Sequence, residues 1–421
     1  VATTTLSIVD AILKEVYESR IRDQLQSDTT LLTRIPQTSE GVTSDVGGKY
    51  VVFPIRTRRN HGMGARLEGE ILPTPQSQRY SPARVALAYL YGGAELTGQT
   101  MELAESNEQA FTSALDSEME GLREALQKDY NRQLYAPASG VMSTANAAGS
   151  TLTFVCANNE AIWLEIGMVI GVLDASAAFV DISPAAGSII TDIASTATTT
   201  TVTFTGATSA ATASGDQIVR KNSQGKEMVG LTDIVANSGT LFNINPATDP
   251  VWKSFIDANA GTLRPISEGL MIGVVDGVRR KGGTVTVGMC NLGVRQQYFN
   301  LLSQQRRFNV SAAERDFEGG FRGLAFSTDK GDIPIVVDID SPWHKLWFLN
   351  EKELKLYQEM DWSFMNRDGS NWQRVVATDL TGAMGFKDAY QATMFKYCQF
   401  ATHRRNSHGL LADIDHPVNN I

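Results

Sequence analysis

The sequence predicts an α+β protein of several parts, and three observations carry that prediction. Residues 97–135 hold a helical pattern with no proline; two alternating, strand-like runs precede it at 49–57 and 83–91. Behind it the composition shifts twice, first to Thr, Ser, Ala and Gly over 139–220, then to interleaved helix and strand patterns from residue 230. A chain of 421 residues has room for two or three domains, and 42% hydrophobic residues is an ordinary globular composition.

At the N-terminal end, residues 7–26 read as an amphipathic helix, with Ile8, Ile12, Val16, Ile21 and Leu25 near one face and Ser7 as candidate N-cap. From 27 to 45 the pattern dissolves, so this arm is expected to pack on its own body or on a neighbouring subunit. The runs 49–57 (Val51, Phe53, Ile55) and 83–91 (Val85, Leu87, Tyr89, Tyr91) then read as the two legs of one hairpin. The roughly 25 residues between them exceed the ~12 to 15 usual for a structureless loop, which marks the stretch as functional or ordered by a partner. It carries Arg58, Arg59, Arg66, Glu68, Glu70 and Arg79, with Gly62, Gly64 and Gly69 for flexibility.

Over 97–135 apolar residues recur at Met101, Ala104, Phe111, Leu115, Met119, Leu122, Leu126, Tyr130 and Leu134, which keeps one helix face apolar. Phe111, Leu115, Leu122 and Leu126 are expected to pack it against C-terminal strands. Acidic residues fill its first half and Arg123, Lys128 and Arg132 its second, opposing the helix dipole at both ends. At 1.5 Å per residue it would run about 50 Å. Residues 139–220 read as a small β-rich module, with strands near 168–173, 189–193 and 200–204 and a core including Val169, Ile170, Ile189 and Val202. Further on, helices are expected at 265–281 and 291–307. Strands are expected at 284–287, 321–326, 333–338, 346–349, 353–360, 372–377 and 389–402, with turns at 328–331 and 366–369.

Charge and composition exclude several functions. A net charge of −9 argues against wrapping nucleic acid with a basic surface, because phosphate neutralisation needs clustered Lys and Arg. Cys156, Cys290 and Cys398 are odd in number and widely spaced, fitting neither a disulfide framework nor a zinc motif, and read as reduced in a cytoplasmic setting. No basic-then-apolar leader opens the sequence and no run of about 18 apolar residues occurs, so neither secretion nor a membrane partner is expected. Asp338 with Asp340, and Asp413 with Asp415, could offer paired carboxylates to a metal. Without a histidine or third acid at motif spacing they read as solvated strand-end and loop carboxylates. His61, His344, His403, His408 and His416 show no HExxH-like spacing, and His403 and His408 fall in a basic segment expected to be exposed. The glycines at 62, 64 and 69 make no phosphate cradle, and Ser139 and Ser267 lack the nucleophile elbow. No catalytic, cofactor-binding or metal-ligating set is expected, and the chain reads as a non-enzyme.

The order of these segments resembles the tailed-bacteriophage major capsid protein family with the Hong Kong 97 fold. The resemblance spans nearly the whole chain. It rests on Lys49-Tyr-Val-Val-Phe-Pro-Ile-Arg and Ala83-Arg-Val-Ala-Leu-Ala-Tyr-Leu-Tyr-Gly-Gly, on Glu124-Ala-Leu-Gln-Lys-Asp-Tyr-Asn-Arg-Gln-Leu-Tyr, and on Gly331-Asp-Ile-Pro-Ile-Val-Val-Asp and residues 343–349. It implies an N-terminal arm (1–41), an extended β-hairpin loop (42–96), the spine helix of a peripheral domain (97–138), a β-rich insertion domain (139–221), an axial domain (222–341), and peripheral strands with a C-terminal segment (342–421).

The function implied is self-assembly into hexamers and pentamers of an icosahedral shell around a double-stranded DNA phage genome. Portal and scaffolding proteins, and a decoration protein, would be partners. Packaged DNA would touch the wall weakly and without sequence preference, and assembly would take place in the host bacterial cytoplasm, giving a virion capsid. An encapsulin-like nanocompartment of the same fold is the alternative. Arg58, Arg59, Arg66, Glu68, Glu70 and Arg79 are the candidate inter-subunit contacts. No long helical scaffolding segment precedes the arm, so a separate scaffolding protein or a removed leader is expected; the stretch 58–82 has no lysine, a departure from the family's isopeptide cross-linking.

Overall fold

The computed structural model describes residues 29–39, 42, 50–99, 108–196, 198–306, 324–366, 372–378 and 384–415. The expected helix at 7–26 and most of the turn at 366–369 lie outside these residues, as do the side chains of Phe111 and Leu115. The long helix runs Glu108–Tyr135, 28 residues, or about 42 Å. It does not begin at Thr97, because Thr97 closes a strand, Ala88–Thr97. That strand lies antiparallel to the 19-residue strand Met384–Thr402, from Ala389↔Thr97 to Cys398↔Ala88. Residues 88–91 therefore belong to this peripheral sheet and not to the second leg of the hairpin, which is Arg79–Ala86.

The helix packs across the inner face of that sheet. Leu126 covers Gly92, where a Cβ would come within 2.7 Å of its methyl groups, so any larger residue there would displace the leucine side chain. Leu122 is half-buried, less enclosed than a core leucine. One turn on, the Tyr130 ring meets Trp362 at 6.1 Å, with the Lys396 ammonium 5.0 Å and 5.7 Å from the two ring centres and 3.1 Å from Asp361. Strands Gln37–Thr38, Leu354–Gln358, Ser363–Phe364 and Trp372–Thr378 complete the sheet.

A second, axial sheet has the order Phe255–Asp257, Gly409–Leu411, Leu346–Leu349, Val287–Cys290, Gly331–Val337, Ala325–Thr328. Helices Glu268–Arg280 and Leu292–Arg306 supply apolar residues to its core. Ser267 caps the first through the Leu270 N–H. Leu346–Leu349 was expected among the peripheral strands, Gly409–Leu411 falls in the C-terminal segment where no strand was expected, and the strand after the first helix was expected at 284–287. A four-residue apolar run has no periodicity that says which sheet it joins; the antiparallel pairing of Val287–Cys290 with Leu346–Leu349 decides it.

The segment around His403 and His408 is largely interior, contrary to the sequence reading. His408 is buried between Thr402 Oγ1 and the Asn350 N–H, and burial pushes its pKa down to about 3. Arg405, also buried, donates to the carbonyls of Asp233, Ile234, Ser238 and Gly239, so four backbone acceptors do the work of a counter-ion. Only Arg404 is exposed.

Between the long helix and the axial sheet, residues 141–220 form a seven-stranded module with its own core of Met142, Phe154, Ile170, Val172, Val202, Phe204 and Ile218. Val169 and Ile189, expected inside, face each other on the outside. The chain enters and leaves through neighbouring strands, Val141 opposite Val219.

Asp338 and Asp340 are buried, not solvated. The Asn131 amide of the long helix donates to Asp338 at 3.2 Å and to Asp340 at 2.6 Å. Asp338 also accepts from Leu31 N in the short helix Thr30–Arg34, and Asn131 Oδ1 accepts from Leu32 N. Trp163 of the module donates to the Asp340 carbonyl. Burial, with the neighbouring Asp338 charge, pushes Asp340 up to about 6 against the pull of Asn131, Lys128 and Arg132; burial raises Asp338 as well. Beside them Arg132 joins Asp129 at 2.9 Å and Glu227 at 2.8 Å, and Arg220 joins Asp129 at 2.8 Å. Burial alone would raise Asp129, but the two guanidinium groups outweigh it and hold it well below the usual carboxylate range.

Two outcomes follow. Because its folded pKa lies above the ordinary 3.8, Asp340 favours folding below about pH 4 and loses that contribution as the pH rises through about 6. Asp340→Asn should therefore exceed the parent in stability at pH 8, by up to about 3 kcal/mol, with the gap closing at pH 4; denaturant unfolding at both pH values checks it. Replacing 141–220 by a short Gly/Ser linker should leave the remainder cooperatively folded by calorimetry, whereas only insoluble protein would make the module part of the main core.

Candidate assembly interface

The hairpin pairs Tyr50–Arg58 with Arg79–Ala86, Tyr50 opposite Ala86 and Arg58 opposite Arg79, with an irregularity between Arg56 and Arg58. Its root is fastened to the body. Val51, Ala83 and Val85 are buried, Phe53 meets the His403 ring edge-on at 4.7 Å, Arg84 N donates to the Phe242 carbonyl, and Ser81 reaches Asp249. Pro54 stands opposite Pro82. Neither can donate along an outer edge, so the ribbon resists pairing with another strand.

Beyond Arg58 the chain folds back on itself over 59–78 without strand structure. At Gly62 a Cβ would meet Gln76 N at 2.7 Å and Thr74 O at 2.8 Å, so the two runs of this tongue touch through bare backbone. Among the described residues every hydrogen bond from the tongue is local: Leu67 with Glu70, Arg66 with the carbonyls of Ala65 and Ile71, Gly62 with Asn60, and Gln78 with Tyr80. At its end Ile71 is 90% and Leu72 79% exposed, with Met63 and Leu67 nearly as open. Four large apolar side chains on one loop make a patch that a lone soluble subunit rarely shows.

The six candidate contact residues part company here. Arg66 and Glu70 are engaged within the tongue, and Arg79 lies 3.7 Å from Asp249 of its own chain. Glu68 is exposed, and Arg58 and Arg59 face a cleft at the root. Met63, Leu67, Ile71 and Leu72 are not among the charged candidates of the sequence; what marks them there is large apolar side chains inside a glycine-rich loop.

Two further surfaces lie open. On the outer face of the peripheral sheet, Tyr397 packs edge-on to Tyr89 at 4.9 Å and Tyr91 at 6.3 Å, with Phe395 at 5.1 Å, and Tyr89 is 61% exposed. The cleft at the root, about 650 Å³, is lined by Phe53, Arg56, Arg58 and Arg59 on the hairpin side. Trp252, Lys281, His403 and Arg404 line its other side. Burial, with Lys253 nearby, lowers the Lys281 pKa. Among the described residues no cluster of His, Cys, Asp or Glu could hold a metal, and no helix is long and apolar enough to cross a membrane.

The subunit thus has a fastened hairpin root, an apolar tip and an open aromatic sheet face. Residues 113–389 match the family model of the SU10 major capsid protein. The chain belongs to that family. It is a major capsid protein of a tailed phage, a virion component that self-associates into capsomers. The cyanophage A-1(L) capsid asymmetric unit superposes with a TM-score of 0.62 at 13% identity, covering 98% of this chain and 99% of that one. A Mycobacterium phage Adephagia structure gives 0.51 at 9%, covering 99% and 100%. At such identities the likeness establishes the fold alone: mixed helix and strand in the Hong Kong 97 manner. No curated protein matches the chain.

Since Ile71 and Leu72 contact little within the capsid subunit, Ile71→Ser with Leu72→Ser should shift its unfolding free energy by less than about 0.5 kcal/mol, as read from urea unfolding of unassembled protein.

Proposed function

We propose that this capsid protein builds hexamers and pentamers of an icosahedral shell around double-stranded DNA, and that the hairpin tongue of each subunit lies on its neighbour. The exposed apolar tip carries the reading: four large side chains in a loop held only by its own hydrogen bonds gain a buried environment in an assembly and nowhere in the subunit. The tyrosine-rich outer face of the peripheral sheet suits it as an apolar seat. Arg58, Arg59 and Glu68 then meet charges of adjacent subunits, whereas Arg66, Glu70 and Arg79 shape and anchor the hairpin. Each contact is small but is repeated around a closed lattice.

A net charge of −9 suits a wall past which packaged DNA slides. The residue ranges 1–41, 42–96, 97–138, 139–221, 222–341 and 342–421 serve as arm, extended loop, spine, insertion, axial and peripheral parts, with Leu346–Leu349 and Gly409–Leu411 joining the axial sheet. Assembly takes place in the host bacterial cytoplasm with scaffolding and portal proteins, and a decoration protein can cover the outside.

The expressed chain should give closed particles by negative stain, and particles purified from infected cells should hold nuclease-resistant DNA; protein cargo without DNA would make the shell an encapsulin-like compartment. Ile71→Ser with Leu72→Ser should cut particle yield at least about tenfold while the subunit stays folded. Normal yield from that variant would remove the tongue from the assembly.

A further inference from the structure

The cleft at the hairpin root has positive charge on both walls. Arg56, Arg58 and Arg59 stand on the hairpin, Lys281 and Arg404 on the body, and no carboxylate lines it. The guanidinium groups of the three hairpin arginines have no hydrogen bond or ion pair among the described residues. Lys281 meets only the carbonyls of Lys253 and Ser254, and Arg404 meets that of Gly282, with Glu353 at 3.7 Å. Trp252 lines the same cleft; it is 1% exposed, and its indole N–H, buried, has no acceptor among the described residues. A buried donor without an acceptor is costly, and like charges gathered in one groove repel each other, so the empty cleft is short of an acceptor-only, negatively charged group.

We propose that the cleft is a binding site for a compact phosphate-rich anion, a triphosphate group either free or on a nucleoside, held between Arg56 on the hairpin and Lys281 and Arg404 on the body. Phosphate only accepts hydrogen bonds and brings several oxygens per group, and the guanidinium fork matches its geometry. Carrying charge on all its sides, a triphosphate meets both walls at once. A volume of about 650 Å³ falls within the range of small-molecule sites, about 300 to 1,000 Å³. Phe53, half-buried in the same wall, is the ring against which a base would stack.

A DNA duplex fits the cleft less well. It presents its phosphates on a convex ridge, which meets one wall of a concave site at a time, and the net charge of −9 opposes laying a duplex along the subunit. The site is complete within one subunit, so the inference goes beyond the shell reading and does not rest on it. Arg58 and Arg59, nearer the tongue along the chain, keep the role proposed for them at a neighbouring subunit. A bound anion offsets the repulsion between hairpin and body and thereby stabilises the folded subunit.

Titration calorimetry of the unassembled full chain with inorganic tripolyphosphate tests it, at about 0.15 M salt, where exposed charges are screened beyond about 8 Å. One site per subunit is expected, with a rise in the thermal unfolding temperature on binding. Arg56→Gln with Arg404→Gln should weaken binding at least about tenfold, roughly the loss of one charge-assisted hydrogen bond. Arg56→Gln alone, which removes no side-chain hydrogen bond or ion pair among the described residues, should lie between, and its unfolding without ligand should match the parent's. Lys226→Gln with Lys330→Gln, exposed cations outside the cleft, should leave binding unchanged. ATP separates the two sources: tighter binding than tripolyphosphate assigns a nucleotide, equal or weaker binding the free polyphosphate. No binding by the parent, or undiminished binding by the double glutamine variant, overturns the site. A short DNA duplex that displaces tripolyphosphate at matched phosphate concentration makes the occupant nucleic acid and overturns it as well.

Discussion

The hydrogen bonds from Asn131 to Asp338 and Asp340 hold the subunit in one piece. Through them the long helix, the short helix of the arm and the end of the axial strand Gly331–Val337 meet at one buried point, with Trp163 of the inserted module on the adjoining carbonyl. Buried carboxylates this close tolerate little misalignment, because an unpaired one would have to protonate or draw in water. The site thus fixes the angle between helix and axial sheet more sharply than apolar packing could.

From that fixed joint the surfaces offered for assembly diverge. The root of the hairpin is as rigid as the body, since Phe53, Val51 and Val85 belong to the main core. The tongue keeps its shape by local bonds but leaves its apolar end uncovered. A packed base carrying an uncovered apolar end holds the loop at a set distance from the body. The cleft below is of the opposite character, lined by Arg56, Arg58, Arg59, Lys281 and Arg404 and by no carboxylate.

The module over 141–220 has another logic. It has its own core, joined to the main one through Trp163, and it meets the long helix through charged contacts, Lys128 with Glu165 and Arg220 with Asp129. Contacts of this kind contribute modestly where exposed.

Sequence alone determined the order of parts: the long helix from its periodicity, the β-rich character of the module from its threonines and turns, and the length of the loop between two strand-like runs. Those features are local, written in spacing and composition. Tertiary structure alone decided the rest. It split the second run at Leu87, giving Arg79–Ala86 to the hairpin and Ala88–Thr97 to the peripheral sheet, because alternation names a strand but not its partner. It sent Gly409–Leu411 and Leu346–Leu349 into the axial sheet, buried His408 and Arg405, and turned Asp338 and Asp340 inward. Polar residues go inside only where partners from distant segments satisfy them, and here Asn131 lies more than 200 positions from the carboxylates it bridges.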